Sequence, residues 1–429
     1  MEGLKDLPKD EPVGELPPQD WLEAAETRAV IAALSADGAQ PRFVGGCVRD
    51  ALARRPVKDI DIATPDTPER VIELLARAGL RSVPTGLAHG TVTAIANGKP
   101  FEITTLRRDV ETDGRHAKVA FTDDWIADAS RRDFTINALS CRADRQIYDP
   151  FGGIADLAAG RIVFVGDPGK RIDEDVLRLL RYFRFYAHFG HPPADTASVH
   201  ACRARAGRLT DLSGERIAAE ILKLLAVPDP LPALVLMQWA GALQVLLPDA
   251  ADLGRIRALA FLESRGVRHD GIAIDPLRRL AALLKPDREQ AEQLASRLRL
   301  SNAQTERLIA LTAPEIVPDR AMDLPQQRRL LYRLGTERFL DLTLMAWAQV
   351  RADEGYVPPG DNGRWMAMLD LIAEWAIPNF PVRGEDVVAA GVPAGPEVGR
   401  RLTALRDWWE EEDFRPGRTE LLERLKQKI

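Results

Sequence analysis

The chain has 429 residues, 45% of them hydrophobic and 28% charged, with a formal net charge of −6. That length exceeds one ordinary core and predicts two to four domains. No apolar run approaches the roughly 20 residues of a membrane-spanning helix, which excludes that class of protein, and the start of the chain lacks the basic residues and apolar stretch of a signal peptide.

Residues 1–24 read as a flexible, acidic, Pro-rich segment. Residues 1–40 carry nine acidic groups against three basic ones, so the rest of the chain is close to neutral and its net charge excludes no polyanionic partner. Residues 25–165 mix strand and helix patterns. Strand-like runs are PRFVGG, KDIDIAT, HGTVTAIANG, PFEITTLR, FTINALSC and RIVFVG, while TPERVIELLARAG predicts a helix with Thr67 as cap and Pro68 in its first position. Beyond Gly166 the text becomes successive Leu/Ala/Arg helices, with segments at 166–225, 226–355 and 356–429. The predicted fold class is an α/β head with a mixed sheet, followed by an all-α neck, body and tail.

The chemistry concentrates in the head. Gly45 and Gly46 end an apolar run, and Arg49 and Asp50 follow at helical spacing. A Gly-rich turn feeding a helix offers backbone N–H groups to phosphates. Asp59 and Asp61 then sit in a β-branched run whose period of two aims both carboxylates one way and Ile60 and Ile62 into a core. Two carboxylates on one face suit Mg²⁺ ions that activate a hydroxyl and neutralise a leaving pyrophosphate. Glu102, on the strand FEITTLR, is either a third acidic member of that site or an exposed strand carboxylate. Asp113, Gly114, Arg115 and His116 fall in a polar loop. Arg132 and Asp133, in SRRDF, offer a guanidinium for phosphate oxygens and a carboxylate for ribose hydroxyls.

A helix is predicted from Arg171 through RIDEDVLRLLRYFRF, with Glu174, Asp175, Arg178 and Arg181 on one face. A carboxylate next to a guanidinium presents acceptor then donors. Cytosine and adenine offer an amino donor beside a ring acceptor and match it, whereas uracil and guanine oppose like with like. The three cysteines, Cys47, Cys141 and Cys202, form no metal-binding spacing and read as reduced, buried thiols of a cytoplasmic protein. The pair His269-Asp270 has no second cluster to complete a metal-dependent phosphohydrolase site.

Taken in order, GGCVRD, KDIDIAT, PTGLAHGTVTA, FEITTLRRDVETDGRHA, SRRDFTINAL, YDPFGG and RIDEDVLRLLRYFRF resemble the class II tRNA nucleotidyltransferases, the CCA-adding enzymes, within the polymerase β superfamily. The resemblance covers roughly residues 40–225. It implies Asp59 and Asp61 as Mg²⁺ ligands, with Gly45, Gly46 and Arg49 on the triphosphate and Arg132 and Asp133 on phosphates and ribose. Asp175 and Arg178 would read the incoming base, aided by Glu174, and Arg181 belongs to the same nucleotide-binding face. Residues 113–116 match the family's flexible loop, and Glu215 and Arg216 a supporting element. CTP and ATP are the implied substrates and the acceptor arm of tRNA the implied partner, with neither DNA nor membrane involved. A poly(A) polymerase, an enzyme adding only A, and a non-catalytic RNA-binding module are the rivals. In the tail, Gly391, Gly395, Gly399, Arg400 and Arg401 serve either RNA phosphates or tight helix packing, and Trp408 and Trp409 read as core.

Overall fold

The computed structural model describes residues 8–113, 116–248, 250, 253–267, 272–355 and 358–427. The described chain divides into two compact units, one made of Met1–Leu224 with Pro232–Pro248, the other of Leu225–Leu231 with Asp249–Ile429. No helix among the described residues is long and apolar enough to cross a membrane.

The first unit carries an eight-stranded sheet. Its strands are β1 (Pro12–Glu15), β2 (Arg42–Val44), β3 (Asp61–Thr64), β4 (Arg81–Gly86), β5 (Thr91–Ala96), β6 (Lys99–Thr105), β9 (Ser140–Cys141) and β10 (Gln146–Tyr148), in the spatial order β1-β10-β9-β2-β3-β6-β5-β4. A separate hairpin pairs β7 (Arg107–Asp113) with β8 (His116–Phe121). Among the described strands only β3 and β6 are parallel; the helix Pro68–Arg77 lies between them in the chain, within the long crossover that such pairing requires. The alternation of β5 drives Val92, Ala94 and Ala96 into the same core as Phe43, Ile62, Phe101 and Ile103. Cys47, Cys141 and Cys202 are all buried and unbridged. Burial pushes the thiols of Cys47 and Cys141 up to about 12, so they stay protonated core side chains.

Several expectations need correction. The segment read as a flexible lead-in contains β1, which pairs with β10; Leu16 is 1% exposed, and Asp10 forms a two-pronged ion pair with Arg42 at 2.6 and 2.9 Å. FTINALSC is a 3₁₀ turn, Thr135–Asn137, before the short β9, and RIVFVG contributes one isolated bridge, Phe164 to Phe134. Strands β7 and β8 flank the loop predicted at 113–116, so its end residues Asp113 and His116 belong to strands. Thr67 precedes the helix Pro68–Arg77, yet its hydroxyl makes no cap hydrogen bond.

The helix predicted from Arg171 is two helices. Pro168–Glu174 ends at Asp175, which is extended at φ −150° and ψ 108°, and Leu177–Phe189 begins after it. The break is tertiary in origin: Asp175 turns its carboxylate onto Arg216 of the helix Gly214–Leu225 at 3.0 and 3.1 Å, and accepts the N–H of Leu177 at 3.1 Å.

The second unit is helical. Its longest helix, Leu324–Glu354, starts with a capping box between Asp323 and Gln326 and bends at Gly335, whose φ of 73° lies outside helical space. In the tail, Trp409 packs at 2% exposure with Val387, Leu405 and Leu421, as read from sequence, and Trp408 is half-buried beneath Arg424. Arg400 and Arg401 both bind Glu397. His269 and Asp270 lie outside the described residues.

Candidate active site

The chain enters the site from β2. Gly45 adopts φ 67°, a backbone conformation that favours glycine, and a Cβ there would stand 2.7 Å from Arg132 Nη1 and push that guanidinium aside. The helix Gly46–Leu52 follows and presents Arg49. Because this helix has only seven residues, guanidinium groups supply more of the local positive potential than its terminus does.

Asp59 lies exposed just before β3, one residue outside the strand predicted for it, and Asp61 opens β3 half-buried. The alternation is otherwise as expected, with Ile60 at 3% and Ile62 at 0% exposure. Glu102 stands directly opposite Asp61 in the parallel β3–β6 register. Burial, then the Glu102 charge, pushes the Asp61 carboxyl up to about 6; Arg132 opposes the shift and Asp59 adds to it. Three carboxylates therefore crowd one strand end, although among the described residues no three acidic, histidine or cysteine groups are gathered closely enough to chelate an ion unaided.

Behind them runs a chain of polar contacts that sequence reasoning did not find, centred on Asn137. Its Oδ1 accepts from Arg49 Nη1 at 2.6 Å and its Nδ2 donates to Asp133 Oδ1 at 2.8 Å. Asp133 also accepts from the Phe134 N–H at 2.9 Å and from Arg181 Nε at 2.7 Å. Burial raises the Asp133 carboxyl, but Arg181 and these hydrogen bonds outweigh it and hold the group below the usual carboxylate range. Asp128 was also missed. Burial again opposes ionisation, and Arg132 and Arg131 overcome it; Arg131 Nε donates to Asp128 at 2.9 Å. The available signal was spacing: Asn137 is four residues after Asp133, and Asp128 is three and four residues before the two arginines.

Glu174 joins Arg171 and Arg178, and these two arginines also donate to the backbone carbonyls of Arg132 at 2.6 Å and Arg131 at 3.2 Å. The helix pair is thereby fastened to the segment that carries Arg131 and Arg132. Asp175 and Arg178 do not pair with each other, because Arg216 holds one and Glu174 the other. One cavity of about 650 Å³ brings together Gly45, Gly46, Arg49, Asp61, Arg132, Asp133, Asp175, Arg178 and Arg181. Asp59 lines an adjoining cavity, Glu174 stands behind the wall, and Glu102 sits on the neighbouring strand. Asp113 ends β7 and His116 begins β8; Gly114 and Arg115, the other two members of the predicted flexible loop, lie outside the described residues.

A mixed sheet with two carboxylates at one strand end, a Gly-Gly turn and an arginine-lined cavity defines a nucleotidyltransferase head. Residues 41–163 match the family model described as the Poly A polymerase head domain, and residues 195–253 match the probable RNA and SrmB-binding site of polymerase A. The mitochondrial CCA tRNA nucleotidyltransferase 1 of Danio rerio is 35% identical over 398 residues, which span 90% of this chain and 87% of that protein. The CCA-adding enzyme of Latilactobacillus sakei is 30% identical over 386 residues, 89% of this chain and 93% of its own. Among solved structures, the Bacillus stearothermophilus CCA-adding enzyme in complex with CTP superposes with a TM-score of 0.71 at 27% identity, covering 94% of this chain and 96% of that one. The chain belongs to the CCA tRNA nucleotidyltransferases and is a nucleotidyltransferase enzyme.

Proposed function

We propose that this chain adds the 3′-terminal CCA of tRNA from CTP and ATP without a nucleic-acid template. The observation that carries the reading is the single cavity whose wall holds Gly46, Asp61, Asp133, Asp175 and Arg178 together. It can take a nucleotide lengthwise, with the base at one end and the reacting phosphate at the other.

In this reading Asp175 and Arg178 meet the base. Their outer contacts to Arg216 and Glu174 occupy only part of their hydrogen-bonding capacity, leaving an acceptor and donors for the edge of cytosine or adenine. Asp133, kept ionised by Arg181, accepts from a ribose hydroxyl, and Arg49 and Arg132 bind phosphate oxygens. Asp59 and Asp61 are oxygen donors of the kind Mg²⁺ prefers, and the neighbouring Glu102 and Asp59 add negative charge at Asp61 that a cation would offset. Two carboxylates suffice for an ion that keeps waters and takes its remaining ligands from substrate phosphates. Asp59 and Asp61 would hold the Mg²⁺, which would supply Lewis-acid activation of the terminal hydroxyl and charge neutralisation for the pyrophosphate. Glu102 acts in this account as a neighbouring charge that tunes Asp61.

The test is incorporation on two tRNAs, one ending at the discriminator base and one ending in CC, each offered CTP, ATP, both, UTP or GTP; the outcomes that follow are for the first unless the second is named. Growth by three nucleotides and then a stop is expected when CTP and ATP are both present. A long adenylate ladder would mean poly(A) polymerase instead, and growth only of a CC-ended tRNA would mean an A-adding enzyme.

A further inference from the structure

Asn137 closes the 3₁₀ turn Thr135–Asn137, is 7% exposed, and touches three charged residues that line the same cavity. Its Oδ1 accepts from Arg49 Nη1 at 2.6 Å, its Nδ2 donates to Asp133 Oδ1 at 2.8 Å, and its backbone carbonyl accepts from Arg132 Nη1 at 3.4 Å. We propose that Asn137 is a positioning residue: its neutral amide spaces Arg49 from Asp133, so that the triphosphate and the ribose of the nucleotide are gripped in one fixed register. The inference rests on the nucleotidyltransfer reading above and adds to it the residue that ties two parts of the site together.

The amide can stand here in one orientation only. A guanidinium has donors and no acceptor, and an ionised carboxylate has acceptors and no donor, so Oδ1 must face Arg49 and Nδ2 must face Asp133. The backbone around it is tied as well: the Asn137 N–H donates to the Phe134 carbonyl at 2.9 Å, and the Phe134 N–H donates to Asp133 at 2.9 Å. Burial raises the Asp133 carboxyl; Arg181 lowers it most, and the Asn137 amide adds to the lowering, so the amide helps keep this acceptor ionised.

Neutrality at this position follows from what Arg49 already touches. Asp50 accepts from its Nε at 2.9 Å and lies 2.8 Å from its Nη2, and the Phe189 ring centroid lies 4.6 Å from its Cζ. One edge of the guanidinium therefore already has a carboxylate, and Asn137 takes the Nη1 edge. The Arg49 side chain is 12% exposed and that of Asp133 8%, so water screens their attraction poorly. With the amide gone, the two close into a direct pair. Arg49 is then surrounded by two carboxylates and no longer favours a triphosphate, and Asp133 turns an oxygen away from the ribose. A carboxylate in place of the amide carries the wrong charge toward Asp133, and a hydroxyl is too short to span both partners.

The experiment measures equilibrium binding of CTP, its 2′- and 3′-deoxy analogues and inorganic triphosphate, without tRNA and at saturating Mg²⁺, to wild type, Asn137→Ala and Asn137→Asp. Asn137→Ala should weaken inorganic triphosphate about tenfold and, in the same protein, cut the preference for CTP over the worse-binding deoxy analogue by about tenfold, the scale of one hydrogen bond to a charged group. Asn137→Asp is nearly isosteric and carries the test alone if the alanine variant does not fold. Protonated, the introduced carboxyl accepts from Arg49 and donates to Asp133 as the amide does; ionised, it quenches Arg49 and opposes Asp133, with Asp50, Arg132 and Arg181 the other charges around it. Its triphosphate affinity relative to wild type should therefore climb toward one as pH falls from 8 to about 5.5. A loss confined to either triphosphate or ribose preference in Asn137→Ala would overturn the inference, as would no loss of either. So would an Asn137→Asp affinity ratio that stays level or falls with pH, which would make the residue a packing group only. Failure of the wild type to extend any tRNA would instead strike the functional reading, and the binding measurements, which need no turnover, would still decide the role of Asn137.

Discussion

Both units of the molecule contain a knot of arginines and carboxylates, and the two knots are built to opposite ends. In the second unit Glu263 takes Arg278 and Arg279 together, Arg278 also binds Asp341 at 2.7 Å, and Arg279 reaches the backbone carbonyl of Leu225 at 2.7 Å. Arg279 and the Glu263 side chain are 0% exposed, so their charges are answered inside the protein. In the first unit Arg49, Asp133, Asp175, Arg178 and Arg181 are as fully cross-linked, yet each keeps an edge on a cavity. Pairing alone therefore does not distinguish architecture from chemistry. What distinguishes them is whether bonding capacity remains where a ligand can reach it.

Removing the carboxylates beside the first knot should have the largest effect on turnover. Asp61→Ala, or Asp59→Ala, removes a proposed metal carboxylate and should lower kcat by about three powers of ten or more, equivalent to several kcal/mol of transition-state stabilisation. tRNA binding measured without turnover should remain near the wild-type value. Activity within tenfold of wild type would remove both residues from the mechanism. Breaking the second knot should act on stability instead. Glu263→Gln leaves two buried guanidinium groups short of a countercharge, and breaking such a pair costs about 3–5 kcal/mol. A lowered unfolding midpoint with normal kcat at low temperature is expected. Loss of activity without loss of stability would mean that this cluster is not purely structural.

How far each knot could be read from the sequence follows from how local its determinants are. The carboxylate platform was legible because strand alternation is a property of neighbouring residues: Ile60 and Ile62 are buried and Asp59 and Asp61 are not. The break at Asp175 was not legible. Glu174, Asp175, Val176 and Leu177 raise no local objection to a helix, and the interruption comes from Arg216, forty-one residues away along the chain. β1 escaped for the same reason, since its partner β10 lies far along the chain and its own residues are Pro- and Glu-containing. Asn137 and Asp128 were passed over because single polar residues carry no pattern until the fold shows what they join.

A finer break would separate Asp175, the residue proposed to read the base, from Arg216, which holds its carboxylate. Asp175→Ala should cut discrimination between CTP and UTP by about a hundredfold, since a buried mismatch of donors and acceptors is what rejects the wrong base. Arg216→Ala leaves the carboxylate in place but frees it from its two hydrogen bonds, and selectivity should fall about tenfold, the scale of one charge-assisted hydrogen bond. Competition assays with paired nucleotides measure both. If the two variants relaxed selectivity equally, position rather than chemistry would account for the role of Asp175.

The smallest expected effect concerns pH. Asp61 carries a carboxyl raised to about 6 by burial and by its acidic neighbours, so without a bound cation the folded protein holds a proton that the unfolded chain releases nearer pH 4. The sign is therefore opposite to that of a salt-bridged aspartate: the contribution of this group to stability is greatest below its unfolded value and is lost as pH rises through about 6. Metal and proton compete for the same oxygens. At limiting Mg²⁺, activity should fall as pH drops through about 6, approaching tenfold per unit below that, and raising Mg²⁺ should move the midpoint to lower pH. Glu102→Gln removes the charge that, after burial, acts most strongly on Asp61, and should shift the same midpoint down while leaving the high-pH plateau close to wild type. A collapsed plateau would instead make Glu102 a ligand in its own right, and the open alternative at that strand would be decided by the shape of one pH profile.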